Sequence, residues 1–110
     1  MGVVRSIINF SQNVAAQTEV CQTITPPAKD FYVTKFIGSA AFSQNCAVKL
    51  VWDMGGAGEQ VLWSIKGSSE ITEEFELTGD GVKQLAICLD NGLTGPVLMS
   101  GFAKIVWEDD

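Results

Sequence analysis

Apolar and polar residues alternate along much of this chain with a period of two. Val61, Trp63 and Ile65 fall on one side of their segment, with Ser64 and Lys66 on the other. Leu85, Ile87 and Leu89 lie opposite Gln84, and Phe75 and Leu77 lie opposite Glu74 and Glu76. Successive side chains of a strand point to opposite faces, so each segment reads as a strand with one dry and one wet face. Eight runs rich in β-branched and aromatic residues span 4–10, 18–25, 31–40, 47–52, 60–66, 73–77, 83–89 and 97–107. Turn residues separate them. Pro26-Pro27 ends the second run because neither residue can donate to a ladder. Asp53-Met54-Gly55-Gly56-Ala57-Gly58 reads as a flexible loop, Gly79-Asp80-Gly81 as a tight turn, and Asp90-Asn91-Gly92 through Gly95-Pro96 as a longer hairpin loop.

Helical spacing fits none of these windows better; the best helix candidate, residues 13–20 with Ala15 and Ala16, is short and uncapped. The expected fold is all-β: a single antiparallel β-sandwich of about eight strands, jelly-roll-like, with a simpler Greek-key sandwich as the alternative. Residues 18–110 form the sandwich domain, and residues 1–17 are either its first strand or an arm exchanged with a neighbour. The last run is apolar on both faces, with Val97, Met99, Ala103, Ile105 and Trp107 on one and Leu98, Phe102 and Val106 on the other. That pattern belongs at the centre of a sheet or at a subunit contact. Gly101 inside it marks a bulge or a close backbone approach.

Composition changes the picture in one respect. Hydrophobic residues make up 46% of the 110 residues, alongside 11 glycines, and charged residues only 18%, against a usual share of roughly 25%. A small domain has much surface for its volume and should lean the other way, so some of that surface is expected to be covered by partner subunits. The 13 acidic and 7 basic residues leave a net charge of −6 with no basic cluster, which argues against binding along nucleic-acid phosphates. The first residues contain no h-region or cleavage site, and every long uncharged stretch is broken by polar residues or proline, so neither export nor a membrane span is expected.

Little catalytic chemistry is available. The chain has no histidine, which removes imidazole bases, Ser-His-Asp and Cys-His arrangements and the usual mixed Cys/His zinc sites. Gly55-Gly56-Ala57-Gly58 lacks the Lys-Ser/Thr ending of a phosphate loop. Glu73, Glu74 and Glu76 read as a solvated face, not a glycosidase pair. No enzyme and no cofactor is expected. Asp53, Asp80 and Asp90 are weak calcium candidates, since they lie in loops but form no Asp-x-Asp-x-Asp-Gly series. Cys21, Cys46 and Cys88 are an odd number at wide spacings and read as free, apolar-like residues in a reducing compartment. Trp52, Trp63 and Trp107 are in phase with aliphatic neighbours and read as core or interface. A carbohydrate-binding, lectin-like module is the alternative function, with Phe42, Tyr32 or Met54 lining a loop site.

Several phrases carry a resemblance: Phe10-Ser11-Gln12-Asn13-Val14, Thr23-Ile24-Thr25-Pro26-Pro27-Ala28, Phe31-Tyr32-Val33-Thr34-Lys35-Phe36, Val48-Lys49-Leu50-Val51-Trp52, and Leu85-Ala86-Ile87-Cys88-Leu89-Asp90-Asn91-Gly92. Together they resemble small β-sandwich accessory proteins of tailed bacteriophage virions, such as capsid decoration (cement) proteins and head or tail appendages. The likeness lies in style and pattern, without a diagnostic motif. It implies a non-catalytic structural protein that folds in a host cytoplasm and assembles into a virion, as a homo-oligomer with a trimer favoured, against proteins such as the major capsid protein. The candidate partner contacts are Val3, Val4, Ile7, Ile8, Phe10, Leu98 and Phe102.

Overall fold

A computed structural model, describing residues 2–40 and 45–109, contains nine strands and, among those residues, no helix. They are β1 (Gly2–Val14), β2 (Thr18–Ile24), β3 (Asp30–Ser39), β4 (Cys46–Trp52), β5 (Gln60–Ile65), β6 (Ser68–Ile71), β7 (Phe75–Thr78), β8 (Leu85–Asn91) and β9 (Val97–Asp109). One sheet runs β1-β9-β3, with β6 and β7 both on the far side of β3; the other runs β2-β8-β4-β5. All pairings are antiparallel. The chain steps back and forth between the sheets, which is the order of a jelly roll. β6 and β7 are one strand's course in two pieces, because Thr72-Glu73-Glu74 lie across from only Thr34-Lys35 of β3. Ser68-Ser69-Glu70-Ile71 carries a single aliphatic residue and so gives no alternation to read.

The stretch up to Gln17 is a strand followed by a turn. β1 pairs residue by residue with β9 over its whole length, and Ile8 and Val14 are buried in the common core. β9 lies between β1 and β3, the central place its two apolar faces call for. Phe31, Val33 and Phe36 of β3, Val48 and Leu50 of β4, Leu85, Ile87 and Leu89 of β8, and Met99 and Ile105 of β9 fill the space between the sheets. Gly38 and Gly101 face each other in the β3–β9 register at the tightest point. A Cβ at Gly101 would lie 2.5 Å from Ile87 Cγ2, and one at Gly38 would lie 2.9 Å from Val48 Cβ. Gly101 therefore marks a close approach of the two sheets, and the β9 ladder runs through it without a bulge.

Three expectations change. Val61 does not share a face with Trp63 and Ile65: the β4–β5 register shifts at Leu62, so Val61 pairs with Val51 on the outer face and stands 52% exposed. Asp90 and Asn91 are not loop residues but the last two residues of β8, and Asn91 is wholly buried. Its Nδ2 donates to the carbonyls of Val14 (3.0 Å), Ala15 (3.3 Å) and Gly95 (2.9 Å), and its Oδ1 accepts from Leu93 N–H at 2.9 Å. Cys21 and Cys88 are joined in a disulfide, leaving Cys46 free and buried, its thiol directed at Asn91 Oδ1. Period-two patterning places a cysteine on a face but says nothing of what stands across from it on a strand 67 residues away.

Candidate interaction surface

The register assigns every side chain of the first sheet to a face. Odd residues of β1 and even residues of β9 point outward: Val3, Arg5, Ile7, Asn9, Ser11 and Asn13 beside Glu108, Val106, Lys104, Phe102, Ser100 and Leu98. Tyr32, Lys35, Ile37 and Ser39 of β3 continue these rows. Val3, Ile7 and Leu98 stand 61%, 54% and 70% exposed, while Phe102, Ile37 and Val106 are half-buried between them. Arg5, Lys35 and Lys104 punctuate the patch, and Lys35 reaches Glu70 on β6 at 3.2 Å. A sheet face with this much aliphatic surface left to water is a surface suited to contact with another protein.

The partner-contact candidates divide by parity. Val3, Ile7, Leu98 and Phe102 lie on this outer face. Val4, Ile8 and Phe10 point the other way, with Ile8 1% exposed and Phe10 packed against the core, so they take no part in the outer face. In β1 the aliphatic run Ile7-Ile8 puts one residue on each side, which a list based on hydrophobicity alone does not separate.

The middle of the second sheet's outer face is covered by its own chain, while Val61 on the edge strand β5 stays exposed. Val51, Ala86 and Cys88 are buried there beneath Cys21 and Met54, and the Met54 N–H bonds Gln84 O at 3.1 Å to hold the loop down. Lys49 spans the same face, with Nζ 3.0 Å from Glu19 and 3.1 Å from Asp90. Burial pulls its ammonium down, but the bonds to the two carboxylates outweigh that and raise it above its ordinary value.

The calcium candidates are spent on local structure. Asp53 Oδ2 accepts from Gly58 N–H at 3.0 Å, Asp80 Oδ1 accepts from the N–H groups of Val82 (2.8 Å) and Lys83 (2.7 Å), and Asp90 pairs with Lys49. Those backbone bonds hold the Asp80 carboxyl below its ordinary value. Among the described residues no group of three or more His, Cys, Asp or Glu side chains is placed to hold a metal ion.

The tryptophans do not form a shelf. Trp52 packs edge-on to Phe31 at 5.4 Å between centroids, Trp63 stacks on Phe36 at 6.3 Å, and Trp107 packs against the core. Of the loop-site residues, Met54 covers the disulfide and Phe42 lies outside the described residues. Tyr32 lines a hollow of about 300 Å³ with Lys29, Asp30, Glu76 and Glu108, at the lower end of ligand-pocket sizes. Its polar groups have partners close by: the Glu76 carboxylate raises the Tyr32 phenol above its ordinary value, Asp30 Oδ1 accepts from Thr78 at 2.6 Å, and Lys29 Nζ donates to Glu108 O at 3.1 Å.

No protein-family model matches the chain, and no curated protein sequence matches it. Solved structures do. Bacillus endospore appendages, which form disulfide-linked pili, align with a TM-score of 0.57 at 13% identity, covering 98% of this chain and 89% of that one. A Yersinia pseudotuberculosis-derived mitogen aligns with a TM-score of 0.52 at 11% identity, covering 97% and 89%. What these proteins share with this chain is the fold. A carbohydrate-binding module of family 4 aligns only at 0.40, too low to bear on function.

Proposed function

We propose that the chain is a non-catalytic structural subunit that works in a multi-copy assembly, a virion or a surface appendage, through protein contacts made by the outer face of the β1-β9-β3 sheet. The observation that carries this is the unequal treatment of the two outer faces. One is covered at its centre by its own loop and bridged by Lys49, with Val61 alone, among its described large aliphatic side chains, standing in water, while the other leaves Val3, Ile7 and Leu98 in water beside Phe102 and Ile37. The jelly-roll sandwich it shares with a pilus protein is compatible with such a role, and so is the resemblance of its phrases to virion accessory proteins. The Cys21–Cys88 disulfide favours final residence in oxidising surroundings, outside a reducing cytoplasm.

The test is assembly state. Size-exclusion chromatography with light scattering should give a discrete oligomer or larger species for the native chain, and Leu98→Lys should shift it toward monomer without lowering thermal stability. Leu98 is the right probe because its side chain is largely in solvent and contributes little to the fold. A native protein that stays monomeric across concentrations, alone and with its natural surroundings restored, sinks the reading.

A further inference from the structure

The two sheets expose four edges, and three carry features that discourage pairing with another chain. β6 and β7 are four residues each, interrupted, and bear Glu70 and Glu76, with Glu74 in the break. β5 is six residues with a register shift at Leu62. β2 is seven residues and is followed closely by Pro26-Pro27. Short strands, bulges, charges and prolines are the usual means of blunting an edge. β1 has the fewest of them. It is 13 residues long, contains no proline and one charge, Arg5, and runs against β9 without a register shift. On its other side no strand lies beside it among the described residues.

We infer that β1 is a pairing edge whose partner is β1 of a second copy, joined antiparallel about a two-fold axis into one continuous sheet, β3-β9-β1-β1-β9-β3. This deepens the assembly reading and rests on it. A two-fold axis normal to the sheet keeps outward residues outward in both copies, so Ile7 meets Ile7 of the other copy on the open face. In that register Arg5 faces Asn9 and Val3 faces Ser11, while on the inner side Val4 faces Phe10 and Ser6 faces Ile8. No like charges are opposed; the register that sets Arg5 against Arg5 is the one disfavoured. Charge also selects the edge. Each copy carries a net −6, and joining at β1 sends the glutamate-bearing β6 and β7 edges to the two far ends of the joint sheet. Backbone hydrogen bonds supply the attraction along the edge, and the paired isoleucines fix the register.

Cross-linking tests this directly. Residues facing across an antiparallel pair have Cα atoms within disulfide range, so Ile7→Cys should give a covalent dimer under mild oxidation. Leu98→Cys, on the same face but on β9, should not, since two β9 strands in the joint sheet stand roughly 14 Å apart. Ile7→Lys should weaken association about tenfold or more, equivalent to about 1.4 kcal/mol, with unchanged melting temperature. A native oligomer that Ile7→Cys fails to lock, or a trimer or open filament that Ile7→Lys leaves intact, overturns the β1 pairing while sparing the assembly reading. A strictly monomeric native protein overturns both.

Discussion

Cys21 and Cys88 stand directly opposite each other in the β2–β8 register, their Cα atoms 4.1 Å apart, and their disulfide closes a loop spanning 67 residues. The cross-link reinforces the pairing of the edge strand β2 with β8, and Lys49, bridging Glu19 and Asp90, adds a second side-chain link on the same face. By the chain-entropy argument a loop of this length is worth about 4 kcal/mol. Urea unfolding with and without reductant should differ by about that much, and the Cys21→Ala, Cys88→Ala pair should match the reduced protein and be insensitive to reductant. Coincident curves for the two redox states would show that the pair contributes nothing to the fold.

Asn91 joins four segments at one end of the sandwich: the end of β1, the turn after it, the loop before β9, and its own strand. A buried group that satisfies several backbone atoms is costly to remove, because each orphaned atom keeps its desolvation penalty. Asn91→Ala should cost on the order of 3 kcal/mol, and Asn91→Asp more at neutral pH, since a carboxylate cannot donate to the carbonyls of Val14 and Gly95. The urea midpoint should fall with an unchanged slope. A midpoint within experimental scatter of the native one would refute the role.

Sandwich architecture was legible wherever one face is dry. The alternation in residues 85–89 predicts which side chains meet in the core, and Leu85, Ile87 and Leu89 are found there. Information carried between distant strands was not legible. The partner of Cys21, the inward Ile8 as against the outward Ile7, and the buried bonds of Asn91 all depend on register, which no local window contains. Val61 misled for a related reason: one inserted residue, Leu62, reverses the phase for the rest of β5. Asn91 in a stretch of turn residues looks like one more turn former, and only its burial reveals otherwise.

Gly101 is required by the distance between the sheets, not by its backbone angles. A methyl group there meets Ile87 Cγ2 and Val48 Cγ1, both anchored in β-branched side chains with little freedom to give way. Gly101→Ala should therefore destabilise by about 1–3 kcal/mol through overpacking. Gly95, where an added Cβ meets nothing within 4 Å, is the control: Gly95→Ala should change stability by less than about 1 kcal/mol. Equal effects at the two positions would mean that the sheets can part at Gly101 at no cost.

Tyr32 is the sole tyrosine, so the ultraviolet absorbance of the ionised phenol reports on it alone. The Glu76 carboxylate, as a hydrogen-bond acceptor within reach of the hydroxyl and then through its charge, raises the phenol above its ordinary value of 10.0. The folded state thus favours the neutral phenol. Its contribution to stability is fully present below pH 10.0 and is lost as pH rises through the raised folded value. A native titration should have its midpoint above that of the urea-unfolded chain. Glu76→Gln, which keeps an acceptor but removes the charge, should bring the midpoint part of the way down, and Glu76→Leu should bring it further. If all three midpoints coincide with that of the unfolded chain, Tyr32 and Glu76 are not bonded in solution, and the hollow they line is open to an outside ligand's hydroxyls.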